Sequence, residues 1–187
     1  METEIKKALE VFKSGGVVVY PTDTCWGIGC DATNEKAVLK LKSIIERPEQ
    51  DGLVLLIAEI GQLYDYVVKI PEIVWDIIEF SEKPLTIIYP EGRQLPPYVL
   101  GADGSVAIRL VKDPFCQKVI QRLHKPLVAT QAYIGSGKPP GSFAELDPLL
   151  SASADYLVDL RRSERCKIKH STLMKLGLDG EVKFLRK

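Results

Sequence analysis

Residues 16–31 read Gly-Val-Val-Val-Tyr-Pro-Thr-Asp-Thr-Cys-Trp-Gly-Ile-Gly-Cys-Asp. The run Val17-Val18-Val19-Tyr20 has the composition of a strand, because branched Cβ atoms and aromatic rings suit a pleated surface. Pro21-Thr22-Asp23-Thr24 ends it, and its short hydroxyl and carboxylate side chains are suited to bond exposed backbone or a ligand. Gly27 and Gly29 permit close backbone approach just beyond. A strand that runs into a hydroxyl-rich loop is the unit from which open α/β sheets build a crevice, where loops from several strand ends converge.

Working outward, Ile5, Ala8, Leu9 and Phe12 recur at helical spacing and Gly15-Gly16 supply a stop, which predicts an amphipathic helix over 2–13. Asn34 is suited to cap a helix from Glu35 to about Ile45, with Ala37, Val38, Leu41 and Ile44 on its apolar side and Pro48 closing it. The aliphatic run from Leu53 to Ala58 predicts a strand buried on both faces. One or two helices entered at Pro71 follow over 64–80. Strands are predicted at 85–89 and 105–110 on either side of a turn-rich segment, then a helix from Pro114 to Leu123 and a strand at 126–130. A short helix near 143–152 and a strand at 156–158 complete an alternating α/β pattern, read as one domain over 1–187.

The chain has 187 residues, 45% hydrophobic and 27% charged, with a mean hydropathy of +0.01; this is the balance of a globular domain and excludes wholesale disorder. A formal net charge of +0 excludes a uniformly basic nucleic-acid coat but permits a local basic patch. No run approaches the roughly 18–20 apolar residues of a membrane span. The N-terminus alternates charges with aliphatics, so the expected location is cytoplasmic, with no membrane partner. Cys25, Cys30, Cys116 and Cys166 include no CxxC pair, so the expectation is reduced thiols, with Cys25 as a nucleophile the alternative. Residues 134–143 are rich in glycine and proline and predict a loop, the best candidate for a moving segment. Arg161, Arg162, Arg165, Lys167, Lys169 and Lys175 form a basic cluster that suits either polyphosphate or RNA, or simply a solvated loop.

Neither GxGxxG nor GxxxxGK[ST] occurs, nor HExxH, a calcium loop or GxSxG, so dinucleotide, P-loop, metalloprotease and α/β-hydrolase readings lose their motif support. What remains is a set of alcohols at strand ends, Thr22, Thr24, Ser105, Thr130 and Ser171-Thr172, together with Arg47 and Arg109. A guanidinium fork suits a carboxylate or phosphate because it makes two charge-assisted hydrogen bonds at once. Strand alternation places Ser105, Ala107 and Arg109 on one face. Arg109 is thus read either as an anion clamp or as a cation leaving the sheet end, and Arg47 either as a phosphate ligand or as a helix C-terminal complement.

At this point the residues resemble a known family. The 16–31 stretch is similar to the opening of the YrdC-like domain, and the resemblance continues through Arg47-Pro48, Lys83-Pro-Leu-Thr-Ile-Ile88, Ser105-Val-Ala-Ile-Arg109 and Lys125-Pro-Leu-Val-Ala-Thr130, in order over roughly residues 5–175. It implies a single-domain, open, twisted, mixed parallel/antiparallel sheet flanked by helices. It also implies threonylcarbamoyl-AMP synthesis, a nucleotidyltransferase reaction that turns L-threonine, bicarbonate and ATP with Mg²⁺ into threonylcarbamoyl-AMP and pyrophosphate for tRNA N6-threonylcarbamoyladenosine. ATP is then a substrate, and no tightly bound cofactor or resident metal is expected. Carried over by position, Thr24, Arg109 and Ser171 bind threonine, while Arg47, Ser105, Thr130 and Gln131 line the ATP side.

Three departures accompany the resemblance. Ile45-Glu46-Arg47 stands where Lys-x-Arg is usual, Gln131-Ala132-Tyr133 where Ser-x-Asn is usual, and Trp26 where tyrosine is usual. Losing one desolvated phosphate contact costs on the order of 2–4 kcal/mol of transition-state stabilisation. The alternative is therefore a catalytically altered paralogue that binds nucleotide or double-stranded RNA or tRNA.

Overall fold

The computed structural model describes residues 1–47, 53–166, 170–177 and 179–187. Pro48, Lys167 and Lys169 lie outside them. The strands are β1 (Val18–Pro21), β2 (Trp26–Asp31), β3 (Val54–Ile57), β4 (Leu85–Tyr89), β5 (Val106–Leu110), β6 (Leu127–Gln131), β7 (Tyr156–Leu157), β8 (Thr172–Leu176) and β9 (Val182–Arg186). The helices are α1 (Glu2–Lys13), α2 (Glu35–Ile45), α3 (Leu63–Tyr66), α4 (Ile73–Glu79), α5 (Pro114–Leu123) and α6 (Pro148–Ser153). Among the described residues the strands form one sheet in the order β7-β1-β2-β6-β3-β5-β4-β8-β9. The pairs β1·β7, β3·β5 and β4·β8 are parallel, and the other neighbours are antiparallel. This is the open mixed α/β sheet that the sequence predicts.

Alternation along the strands builds a core on each face. Val18, Tyr20, Leu56, Leu127 and Ala129 point to one side, under Ile5, Leu9 and Phe12 of α1 and Phe115, Val119 and Ile120 of α5. Val17, Val19, Leu55, Ile57 and Val128 point to the other, under Val38 and Leu41 of α2, Leu63 of α3, Val74 of α4 and Leu150 of α6. Burial on both faces is why 53–58 reads as an unbroken aliphatic run. Caps fix where helices begin: Asn34 Oδ1 accepts the Ala37 amide at 3.2 Å, and Asp113 Oδ1 accepts the Phe115 and Cys116 amides, both at 3.0 Å. Each satisfies N–H groups the first helical turn leaves unpaired.

The sheet is larger than the sequence predicts. β2 is a strand although Gly27 and Gly29 weaken its propensity; its place is decided by tertiary packing. A Cβ on Gly29 would lie 1.7 Å from the Val128 carbonyl oxygen of β6, so only glycine lets the two backbones meet here. β8 and β9 were not predicted either. They form a hairpin at the sheet edge whose residues alternate poorly in polarity, and β9 has mostly exposed side chains.

The expectation of four reduced thiols is corrected. Cys25 and Cys166 form a disulfide with Cα atoms 5.0 Å apart, across 141 residues of chain, whereas Cys30 and Cys116 are free and buried. Sequence spacing carries no trace of a pairing made by two loops that the fold brings together. Burial pushes the Cys30 and Cys116 thiols up, with nearby Asp31 and Asp113 acting in the same sense; both behave as small apolar fillers.

Candidate functional site

On the sheet face where α1 and α5 pack lies a cleft of about 480 Å³. Alternation decides what enters it: Val106 and Ile108 of β5 turn into the opposite core, while Ala107 and Arg109 face the cleft together with Ile88 of β4 and Leu173 of β8. The cleft has an apolar floor and a polar rim, the usual make-up of a small-molecule site.

Thr24, Arg47, Ser105, Arg109, Thr130, Gln131 and Ser171, the residues that the sequence singles out, all line this one cleft. The β1–β2 turn is organised around Thr22, whose hydroxyl accepts the Thr24 and Cys25 amides at 3.1 and 3.2 Å. It also donates to the Cys25 carbonyl at 2.8 Å. This local bonding holds Thr24 at the rim. Arg109 is 7% exposed; its Nη2 lies 3.3 Å from Asp23 Oδ1 and its Nη1 donates to Thr24 Oγ1 at 3.4 Å. Asp23 Oδ2 accepts the Lys112 amide at 3.2 Å, so the turn and the start of α5 are tied through one carboxylate. Asp23 is the partner that sequence reasoning did not identify. A buried guanidinium needs a counter-charge, and the adjacent Asp in the Thr-Asp-Thr run was a signal for it.

Arg47 leaves the C-terminal end of α2 and crosses to β6. It donates through Nη1 to Thr130 Oγ1 at 3.0 Å and through Nη2 to the carbonyls of Gln131 at 2.5 Å and Tyr133 at 3.1 Å. The Tyr133 ring lies 3.8 Å from its Cζ, a cation–π distance. Three of the site positions, Arg47, Thr130 and Gln131, are thus joined with Tyr133 in a single cluster, and much of the guanidinium's donor capacity goes to the protein's own backbone. The departure at 133 has a physical role: the ring that replaces the usual asparagine covers one face of the arginine.

Ser171 is buried and its hydroxyl shares a 2.7 Å hydrogen bond with Thr86. Arg186 of β9, absent from the sequence-based site, donates from Nε to the Ser171 carbonyl at 3.0 Å and lines the cleft. His170 is also at the rim, its Nδ1 3.3 Å from Gln131 Nε2. Next to Ser105, the carboxyl of Asp103 is lowered to about 2 by hydrogen bonds from the Ser105 hydroxyl and amide and by Lys175. Among the described residues no group of three or more His, Cys, Asp and Glu is arranged to hold a metal ion. No described helix is long and apolar enough to cross a membrane.

The family model for Sua5, YciO and YrdC proteins, described as telomere recombination, matches residues 10–187. The chain belongs to the Sua5/YciO/YrdC family. A threonylcarbamoyl-AMP synthase of Xanthomonas euvesicatoria is 33% identical over 159 residues, covering 83% of this chain and 85% of the relative. One from Halorhodospira halophila is 33% identical over 155 residues, 82% and 81% of the two chains. The solved structure of P. abyssi Sua5 complexed with L-threonine superposes with a TM-score of 0.88 at 25% identity, over 100% of this chain and 54% of that one. This chain therefore spans about half the length of that Sua5. E. coli YciO superposes with a TM-score of 0.85 at 20% identity over 100% and 90% of the two chains, a likeness of fold.

The basic cluster predicted in the tail of this Sua5/YciO/YrdC domain is not a continuous patch in its described members. Arg161 meets Asp113 at 2.6 Å, Arg162 meets Asp159 at 3.2 Å, Arg165 meets Glu145 at 3.8 Å, and Lys175 meets Asp103 at 3.1 Å. Pairing with acids dispersed along the chain reconciles this cluster with a net charge of +0. The predicted loop at 134–143 is tied near both ends, by the Gly135 amide to the Ile45 carbonyl at 2.8 Å and by the Cys166 amide to the Gly141 carbonyl at 2.9 Å.

Proposed function

We propose that this chain binds L-threonine and ATP in the cleft and makes threonylcarbamoyl-AMP from them and bicarbonate, as a nucleotidyltransferase acting in tRNA modification. The observation that carries the reading is the convergence of all seven resemblance-derived positions on one cleft of about 480 Å³, a volume suited to an amino acid beside a nucleotide. The relatives named as threonylcarbamoyl-AMP synthases and the threonine complex of P. abyssi Sua5 support it.

In this reading the Arg109 guanidinium, held from behind by Asp23, meets the threonine carboxylate, and the Thr24 hydroxyl and Ser171 complete that end. The threonine amine takes up the bicarbonate carbon, water leaves, and a carbamate oxygen attacks the α-phosphorus as pyrophosphate departs. The protein's part is to align amine, carbamate and α-phosphorus and to stabilise charge that develops between them. Ser105, Thr130 and Gln131 flank the nucleotide, and Arg47 positions that wall through β6 while presenting its remaining surface to the phosphates. Mg²⁺ arrives on the triphosphate as part of the substrate and neutralises charge on the leaving group.

A second reading, a paralogue that binds nucleotide without synthesis, is favoured by one observation: the Arg47 bonds to the Gln131 and Tyr133 carbonyls. Titration calorimetry with L-threonine and a non-hydrolysable ATP analogue separates the two. The synthase reading predicts that each ligand binds and that L-serine and D-threonine bind threonine's site at least about tenfold more weakly, the discrimination expected of a shaped pocket. Nucleotide binding with no threonine binding supports the second reading.

A further inference from the structure

On the far side of the β1–β2 turn from the cleft lies a second cavity, of about 230 Å³. Its walls include Asp23, Cys25, Arg161, Arg165 and Cys166. Cys25 also lines the main cleft, so the Cys25–Cys166 disulfide stands between the two spaces. We propose that this disulfide is a reversible modification site, opened by dithiols that enter through the second cavity, and that its state sets the affinity of the cleft for threonine. The effect on threonine rests on the function proposed above; the crosslink itself does not.

Access points to the sulfur that reacts. Cys25 is buried at 6% exposure, whereas Cys166 is partly exposed, at a cavity wall shared by Arg161 and Arg165, paired with Asp113 and Glu145, and by the acids Asp23 and Glu164. A dithiol's thiolate attacks Sγ of Cys166; the S–S bond breaks, and its electron pair stays on Sγ of Cys25, which takes up a proton. The reductant's second thiolate then attacks its own sulfur in the mixed disulfide and releases the Cys166 thiolate, which is protonated in turn. The protein disulfide gains two electrons and two protons, and the dithiol leaves as a cyclic disulfide. Glutathione disulfide, through two exchange steps, drives the reverse.

What the bond holds together makes its state matter. Cys25 follows Thr24, and its amide and carbonyl are both bonded to the Thr22 hydroxyl. Cys166 donates its amide to Gly141 and follows Arg165, which bridges Ser142. The crosslink therefore ties the turn that carries Thr24, and through it Arg109, to the loop at 134–143 and to the chain that leads to Ser171. Without the bond, the turn keeps its own hydrogen bonds but loses its covalent tie to Cys166 and the Gly141 loop bonded to it, and the threonine subsite is less preorganised.

The test compares protein equilibrated with glutathione disulfide and with dithiothreitol, alongside Cys166→Ser, a position outside the binding machinery. Thiol titration in denaturant should find two free thiols in the oxidised form and four in the reduced, with a Cys25–Cys166 peptide seen by mass only in the former. Calorimetry should show threonine binding at least about fivefold weaker after reduction, the lower range of coupling between linked sites, and the weak value for Cys166→Ser in both buffers. Four thiols after oxidation, equal threonine affinity in the two states, or redox-sensitive affinity in Cys166→Ser would each overturn the proposal. If threonine binds neither state, the synthase reading falls while the clamp is still tested by trypsin. Cleavage after Arg161, Arg162 and Arg165 should be faster in the reduced protein, and equal rates would overturn it.

Discussion

The Arg109 side chain is almost out of water, with Asp23 as its counter-charge and Thr24 as a second partner. Replacing it with alanine would strand the Asp23 carboxylate, so a loss of activity would be mixed with a loss of fold. Arg109→Lys is the more informative change, since it keeps the charge and removes the planar fork. With a charged hydrogen bond worth about 1.5–3 kcal/mol, kcat/KM for threonine should fall about ten- to a hundredfold while the KM for ATP stays within about twofold. Steady-state kinetics with each substrate varied checks this, and unchanged threonine kinetics would remove Arg109 from the threonine subsite. The side chains of the site were legible in the sequence, but their partners were not. Arg47 and Tyr133 are 86 residues apart in the chain, and Asp23 reaches Arg109 only because the β1–β2 turn folds over the end of β5. Position along a strand can be read from alternation; contact between distant loops cannot.

Elements with strong periodicity or sharp punctuation were legible: α1 from its apolar spacing, α2 from Asn34, α5 from Pro114, and β3 from its aliphatic run. β2 was missed for a different cause. β2 carries glycines where a strand would ordinarily carry bulk, and the reason lies in its neighbour. An added Cβ at Gly29 meets the Val128 carbonyl at 1.7 Å, a clash only backbone movement can relieve. Gly29→Ala should therefore destabilise the protein by about 2–4 kcal/mol. Gly61→Ala, where an added Cβ has nothing within 4 Å, should stay within about 0.5 kcal/mol of wild type. Urea unfolding of the two variants checks the contrast, and equal midpoints would mean that β2 and β6 do not meet as closely as described.

At the scale of the molecule, the sheet places its alcohol and guanidinium groups where strand-end loops from β1, β5 and β6 converge with the start of β8. Two-sided burial elsewhere leaves that stretch of one face uncovered. The family supplies the class of chemistry; of the departures, Gln131 and Tyr133 line the cleft and hold Arg47 through their carbonyls, whereas Ile45 is buried in the core. Whether the cleft still performs the reaction is decided by turnover. Purified protein incubated with ATP, Mg²⁺, L-threonine and bicarbonate should release pyrophosphate, and omitting either threonine or bicarbonate should abolish that release. Release that is absent, or that proceeds equally without threonine or without bicarbonate, would contradict the synthase account.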